Sequence, residues 1–193
     1  MDLPGPGAIL GEKTMIKFDR RWFLTASAAG LVLPTASCAR VQPSSKESPM
    51  SDIKPVPLGE SDVDWDAMTE REWRERLTDA EFRVMRKEGT ERSGSSPLND
   101  EKRKGVFVCR GCYLPIFPSE YKYNSGTGWP SFFDYNEGTL GFKTDYKLIY
   151  PRKEYHCIRC GSHQGHVFKD GPEPTGLRYC NNGVALAFVP DEA

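Results

Sequence analysis

Apolar positions follow two different rhythms along this chain. In the stretch that ends near Arg86 they recur at helical spacing, with Trp73 and Leu77 on one face and Phe82, Val84 and Met85 giving the next segment an apolar side. Each segment carries a start signal: Thr69 is followed three residues later by Glu72, and Thr78 by Glu81. In that pattern hydroxyl and carboxylate cap each other's backbone N–H groups. The spacing predicts two short helices whose role is packing against a sheet. From Gly105 the rhythm shortens. Val106-Phe107-Val108-Cys109, Leu148-Ile149-Tyr150 and Ala185-Leu186-Ala187-Phe188-Val189 are β-prone runs set off by Gly, Pro, Asp and Asn. No long helical pattern follows any of them, which disfavours βαβ units and predicts a mainly β, small antiparallel domain.

The N-terminal third follows neither rhythm. Arg20-Arg21-Trp22-Phe23-Leu24 precedes a mild, uncharged stretch to Ala39. That stretch is too short and too weakly apolar for a permanent membrane span. It resembles a bacterial twin-arginine export signal, with Asp19 where Ser or Thr is commoner and Met15 as a plausible start. Leu33-Pro34-Thr35-Ala36-Ser37-Cys38 ends it as a small-residue cleavage site and as a degenerate lipoprotein box. Two outcomes stay open: a lipid anchor at Cys38, or cleavage to a soluble exported protein. Residues 39–64, rich in Ser, Pro, Lys and Asp, read as a flexible linker. The expected organisation is an export signal region over 1–38, the linker over 39–64 and a folded domain over 65–193, in a periplasmic or otherwise exported protein.

A chain of 193 residues suits one such domain. Its formal net charge of -1, with no dense basic patch, gives nucleic-acid binding no support. A monomer is expected.

Cysteine changes the picture most. Cys109 and Cys112 form one C-x-x-C pair and Cys157 and Cys160 another. Two such turns facing each other present four sulfurs tetrahedrally, which suits one structural zinc ion. Iron, two disulfides or four reduced buried thiols are the alternatives. A filled four-sulfur site is closed, so the chemistry must lie elsewhere; His156, next to Cys157, reads as structural.

Cys180 is the one cysteine of the folded domain without a partner at metal spacing. A nucleophilic thiol needs cationic or donor groups near it, which Arg178 would supply. His163 and His166 are candidates for proton delivery. The residues alone support cysteine-based chemistry with histidine help, against a buried structural cysteine.

The run from Ser162 to Asn182, S-H-Q-G-H-V-F-K-D-G-P-E-P-T-G-L-R-Y-C-N-N, resembles the signature of the MsrB family of methionine-R-sulfoxide reductases. So do Ser125-Gly126-Thr127-Gly128-Trp129-Pro130-Ser131-Phe132 and the two C-x-x-C pairs, over about Trp65 to Pro190. The resemblance implies a fold of two small antiparallel sheets with short N-terminal helices. It implies reduction of methionine (R)-S-oxide in the repair of oxidised proteins, with the choice between peptide-bound and free substrate left open. Cys180 would be the catalytic cysteine, with His163, His166 and Asn182 beside it, and Trp129, Phe168 and Arg178 would bind substrate. Two departures stand out. Gly183 replaces a common Ser, a change expected to matter little, and Thr127 stands where many members have a resolving cysteine. A thioredoxin-like or other external thiol is therefore the expected reductant, with Cys38 as the alternative resolving group. Two competing classes remain: a zinc-knuckle binding module with an inert Cys180, and a thiol-disulfide oxidoreductase working through one C-x-x-C pair.

Overall fold

The computed structural model describes residues 53–147 and 150–191. The export-signal reading, Cys38 and residues 39–52 of the expected linker lie outside the described residues.

Both capping boxes are formed. Thr69 opens α1 (Glu70–Arg76) and Thr78 opens α2 (Asp79–Met85), and in each the backbone N–H of the threonine donates to the downstream glutamate at 2.7 Å. Caps of this kind contribute about 1 kcal/mol each. They matter here because helices of two turns have little stability of their own. Trp73, Phe82, Val84 and Met85 face inward and are buried.

Among the described residues nine strands follow, all paired antiparallel. One sheet holds β1 (Gly105–Cys109) between β2 (Pro115–Pro118) and β9 (Leu186–Pro190). The other has six strands in the order β3-β4-β8-β7-β6-β5. These are β3 (Lys122–Tyr123), β4 (Ser131–Phe132), β5 (Leu140–Asp145), β6 (Arg152–Cys157), β7 (His163–Phe168) and β8 (Arg178–Asn181). Aromatic rings join the sheets: Phe117 stacks on Phe132 at 4.1 Å, Phe107 meets Phe132 edge-on at 5.0 Å, and Phe117 meets Tyr155 edge-on at 6.3 Å. Such pairs add to the burial of the rings themselves. With this core occupied from one side of the large sheet, alternation along its strands sends polar side chains to the other side.

Two expectations need correction. Tyr150 is in no strand and is 80% exposed. Asp145 and Arg152 pair with each other across β5 and β6, so Tyr150 falls between the two strands and in neither; Leu148 and Ile149 lie outside the described residues. The expected linker, too, does not run free as far as residue 64. Ile53 is buried against Val108 and Ala187, and the Val56 N–H donates to the Tyr113 carbonyl at 2.9 Å. An isoleucine that covers the outer side of β1 and β9 has an apolar surface to bury, which composition alone did not reveal.

Candidate active site and four-cysteine cage

The register of the large sheet lines up one polar row across six strands. Tyr123 is opposite Ser131, Ser131 opposite Cys180, Cys180 opposite His166, His166 opposite Glu154, and Glu154 opposite Lys143. Gly165 makes this possible, since a Cβ there would sit 1.9 Å from the Cys180 carbonyl oxygen. Between Gly165 and His163 the pairing of β7 with β6 skips Gln164. This bulge turns His163 to the same face as His166.

A cleft of about 110 Å³ opens over the row. Thr90, Trp129, Arg152, His166, Phe168 and Cys180 line it, together with Asn181 and Asn182. Gly128 (φ 86°) turns the chain so that Trp129 reaches the cleft, where its indole Nε1 donates to the Glu91 carbonyl at 3.3 Å. Phe168 forms a second apolar wall, with the Arg178 guanidinium 4.4 Å above its ring. Cys180 is half-buried. Burial pushes its thiol up, while the Arg178 charge and the Thr127 side chain pull the other way. The thiol therefore holds its proton more tightly than a free cysteine, even with Arg178 beside it, until something accepts that proton.

Arg178 is held by Asp170 through two hydrogen bonds of 2.8 and 2.9 Å and is buried. It supports Phe168 from behind and does not line the cleft. His166 does line it, and its Nε2 lies 2.8 Å from Asp145 Oδ2. Burial lowers the proton affinity of the ring against the opposing pull of Asp145. His163 is placed differently. It is 2% exposed, its Nδ1 lies 2.8 Å from Glu154 Oε1, and its Nε2 is buried without a partner. The structure does not bring it to the cleft. Asn182 does line the cleft, with its side chain held in place: its Oδ1 accepts from the Glu91 N–H at 3.0 Å and its Nδ2 donates to the Gln164 carbonyl at 3.0 Å.

Sequence reasoning missed Glu91, Asp145 and Arg152. Glu91 holds three things at once: its N–H binds Asn182, its carbonyl binds Trp129, and its buried carboxylate accepts from the N–H groups of Gly183 and Val184. Gly183 itself is not incidental. A Cβ there would meet Ser96 Oγ at 1.9 Å, so the glycine leaves room for the serine that caps the Pro97–Asn99 turn.

At the far end of β1 and β6 the four paired cysteines converge. Cys109 and Cys160 sulfurs are 3.6 Å apart, those of Cys112 and Cys157 3.5 Å, and all four lie within 4.8 Å of one another. A disulfide brings sulfurs to about 2.05 Å, whereas a tetrahedral ion with bonds of about 2.3 Å sets them about 3.8 Å apart. The residues present fit a tetrahedral metal. The two turns are alike: the Tyr113 N–H donates to the Cys109 carbonyl and the Gly161 N–H to the Cys157 carbonyl, at 2.8 and 2.9 Å. Tyr113 (φ 60°) and Gly161 (φ 64°) occupy the same left-handed corner. Gln164 Nε2 donates to Cys109 Sγ at 3.4 Å, and Arg86 and Arg159 donate to the carbonyls of Cys160 and Cys112 at 2.8 and 3.1 Å. These donors and cations suit an excess of thiolate charge. His156 is outside the cluster.

Comparison with known proteins agrees with this geometry. The SelR domain model matches residues 77–190. A peptide methionine sulfoxide reductase MsrB of Methanosarcina barkeri is 47% identical over 125 residues, covering 64% of this chain and 88% of that protein. MsrB proteins of Alteromonas mediterranea and Agrobacterium fabrum are 43% and 40% identical, over 66% and 73% of this chain and 90% and 99% of their own lengths. The chain belongs to the MsrB family. The fold expected of an MsrB protein, two antiparallel sheets after short helices with a four-cysteine cluster, is the fold observed. In this MsrB-family chain the cleft cysteine and the cage cysteines are separate sets, and Thr127 contributes a hydroxyl rather than a thiol beside Cys180. Neither competing class survives: the paired cysteines are in a cage rather than in a redox pair, and Cys180 is in a cleft rather than in the core.

Proposed function

We propose that the protein reduces methionine (R)-sulfoxide in oxidised polypeptides to methionine, with Cys180 as nucleophile. The observation that carries this reading is the cleft itself, in which a half-exposed thiol lies between two aromatic walls, Trp129 and Phe168, next to an imidazole. The walls suit the S-methyl group, and a cleft of side-chain size suits a residue within a peptide, where drug-sized ligands need about 300 Å³ or more. Free methionine sulfoxide is the second substrate to examine.

Cys180 attacks the sulfoxide sulfur, and a proton reaches the departing oxygen through His166. The substrate leaves as the thioether and Cys180 becomes a sulfenic acid. A second thiol condenses with it, releasing water and forming a mixed disulfide, and a further thiol reduces that disulfide. With the four other described cysteines in the cage, the resolving thiol is an external, thioredoxin-like donor. Cys109, Cys112, Cys157 and Cys160 would hold one zinc ion, which supplies folding free energy and no step of the reaction.

Turnover of the separate R and S sulfoxides, with Cys180→Ser as control, tests the reading. Activity on R alone, lost in the variant, is expected; equal activity on S, or full activity in the variant, overturns it. Export by the twin-arginine route, with cleavage before Cys38 or lipidation on it, is our reading of residues 1–38. The mass of the mature N-terminus tests it, and an uncleaved Met15 start overturns it.

A further inference from the structure

We propose that Asp145 is a positioning residue of this cleft: its carboxylate fixes His166 with the ring proton on Nε2, leaving Nδ1 to exchange a proton with Cys180 and the sulfoxide oxygen. The proposal rests on the sulfoxide reductase reading above. Asp145 is 7% exposed and its carboxylate is surrounded by donors. Oδ1 accepts from the Lys147 N–H at 2.8 Å, and Oδ2 accepts from Arg152 Nη2 at 2.7 Å and lies 2.8 Å from His166 Nε2. The Lys147 N–H first, then His166 and Arg152, hold this carboxyl well below the usual range, so it is ionised and accepts only. The nitrogen that faces it must carry hydrogen. Burial disfavours a second proton on the ring, and Nδ1 keeps its lone pair.

The other charged groups around His166 leave this assignment intact. Glu154, opposite it on β6, is engaged by His163 Nδ1 at 2.8 Å and by Lys143 Nζ at 3.4 Å. His163, on the same strand, meets His166 edge-on at 5.4 Å between ring centres and is shut off from the cleft. Arg152 shares Asp145, and Cys180 is opposite on β8. One histidine therefore serves one thiol.

The proton count closes. The Cys180 S–H proton passes to Nδ1 and from there to the sulfoxide oxygen. An S–O bond to the substrate sulfur breaks and an S–O bond to Cys180 forms. Cys180 is oxidised by two electrons to the sulfenic acid, the sulfoxide is reduced by two to the thioether, and His166 ends neutral. This also answers how a thiol whose proton affinity is raised by burial becomes a nucleophile: the acceptor stands ready in the right tautomer.

Nitrogen-15 NMR of the His166 ring in the substrate-free protein near neutral pH is the first test, and it needs no turnover. We expect Nε2 protonated and Nδ1 bare; the reverse tautomer overturns the proposal whatever the enzyme's substrate. The second test is Asp145→Asn, whose amide can donate to Nε2 and so favour the other tautomer, as a buried carboxylate-to-amide change does in hydrolase triads. First-turnover sulfenic acid formation should fall about 10²- to 10⁴-fold with an altered pH profile. Substrate affinity should stay within about threefold, because uniform binding is untouched. Asp145→Glu should recover part of the rate. An Asp145→Asn protein with wild-type rate, pH profile and tautomer sinks the proposal. If wild-type protein shows the expected tautomer but reduces no methionine sulfoxide, it is the functional reading that has failed, and the positioning of His166 stands.

Discussion

The chain uses sulfur in two places, and the two differ in almost every physical respect except the atom. In the cage four sulfurs face one another within 4.8 Å, buried, with N–H groups and arginines around them. In the cleft one sulfur stands alone on a strand, half-buried, between a hydroxyl, a guanidinium and an imidazole. Neighbours decide what each thiol can do. Thiolates that share an ion are neither free to attack nor exposed to an oxidant, whereas a lone thiol in an open cleft is limited only by where its proton can go. The comparison breaks most sharply at Cys180. Cys180→Ser should abolish sulfoxide turnover, a loss beyond about 10³-fold, while metal content and thermal midpoint stay as in the wild type. A residual rate within tenfold would mean that the cleft sulfur is not the nucleophile.

The mirror experiment is Cys157→Ser. It should leave less than a tenth of an equivalent of zinc per chain and lower the midpoint by about 10 °C or more. The expectation follows from metal-binding free energies of about 10–16 kcal/mol in small four-ligand sites, comparable to the whole stability of a domain. Elemental analysis beside calorimetry checks it. A variant that keeps its midpoint would show the cage to be dispensable, and a wild type carrying iron would correct the choice of metal.

How far each site was legible in the sequence follows from the same contrast. The cage was legible because its ligands come in pairs three residues apart, so one turn presents two of them and the pattern is local. The capping boxes at Thr69 and Thr78 were legible for the same reason. The cleft is assembled across β4, β6, β7, β8 and the 90–91 segment, and its logic is register. A bulge at Gln164 puts two histidines at i and i+3 on one face, where a regular strand would send them to opposite faces, and no local pattern announces it. Asp145 and Arg152 read as ordinary hairpin charges until the pairing of β5 with β6 sets them beside His166. Strand β6, Arg-Lys-Glu-Tyr-His-Cys, looks like a solvated loop because its polar side faces the cleft instead of the core.

Support behind the cleft should prove less tolerant than its bland sequence suggests. Gly183→Ser places an atom where Ser96 Oγ already stands, and overpacking of this kind costs about 1–3 kcal/mol. The Glu91 carboxylate accepts from the Gly183 N–H, and the Glu91 N–H holds Asn182, so the strain should also loosen the wall that Trp129 forms. Combining it with Ser96→Gly should cost less than the sum of the two changes, since both act on one contact. Urea melts of the four proteins measure this, and strict additivity would show that the two residues do not compete for space.

The smallest effect expected lies between the sites, where the end of α2 is tied to β5. Glu88 (φ 52°) receives Lys143 Nζ on one carboxylate oxygen and Lys147 Nζ on the other. These two donors, Lys143 the stronger, hold its carboxyl at about 2 against an ordinary value of 4.5. A folded-state value below the unfolded one means that the clamp's contribution is complete above about pH 4.5 and is lost as pH falls toward 2. The group is a third exposed and both lysines are half in water, so the contribution is under about 1 kcal/mol. Glu88→Gln should therefore lower the midpoint by a few degrees at pH 6–7. The gap from wild type should close as both are titrated through pH 4.5 to 2. A gap that stays constant through that window would mean that the lysines do not sense the carboxylate's charge, and that packing alone holds helix and strand together.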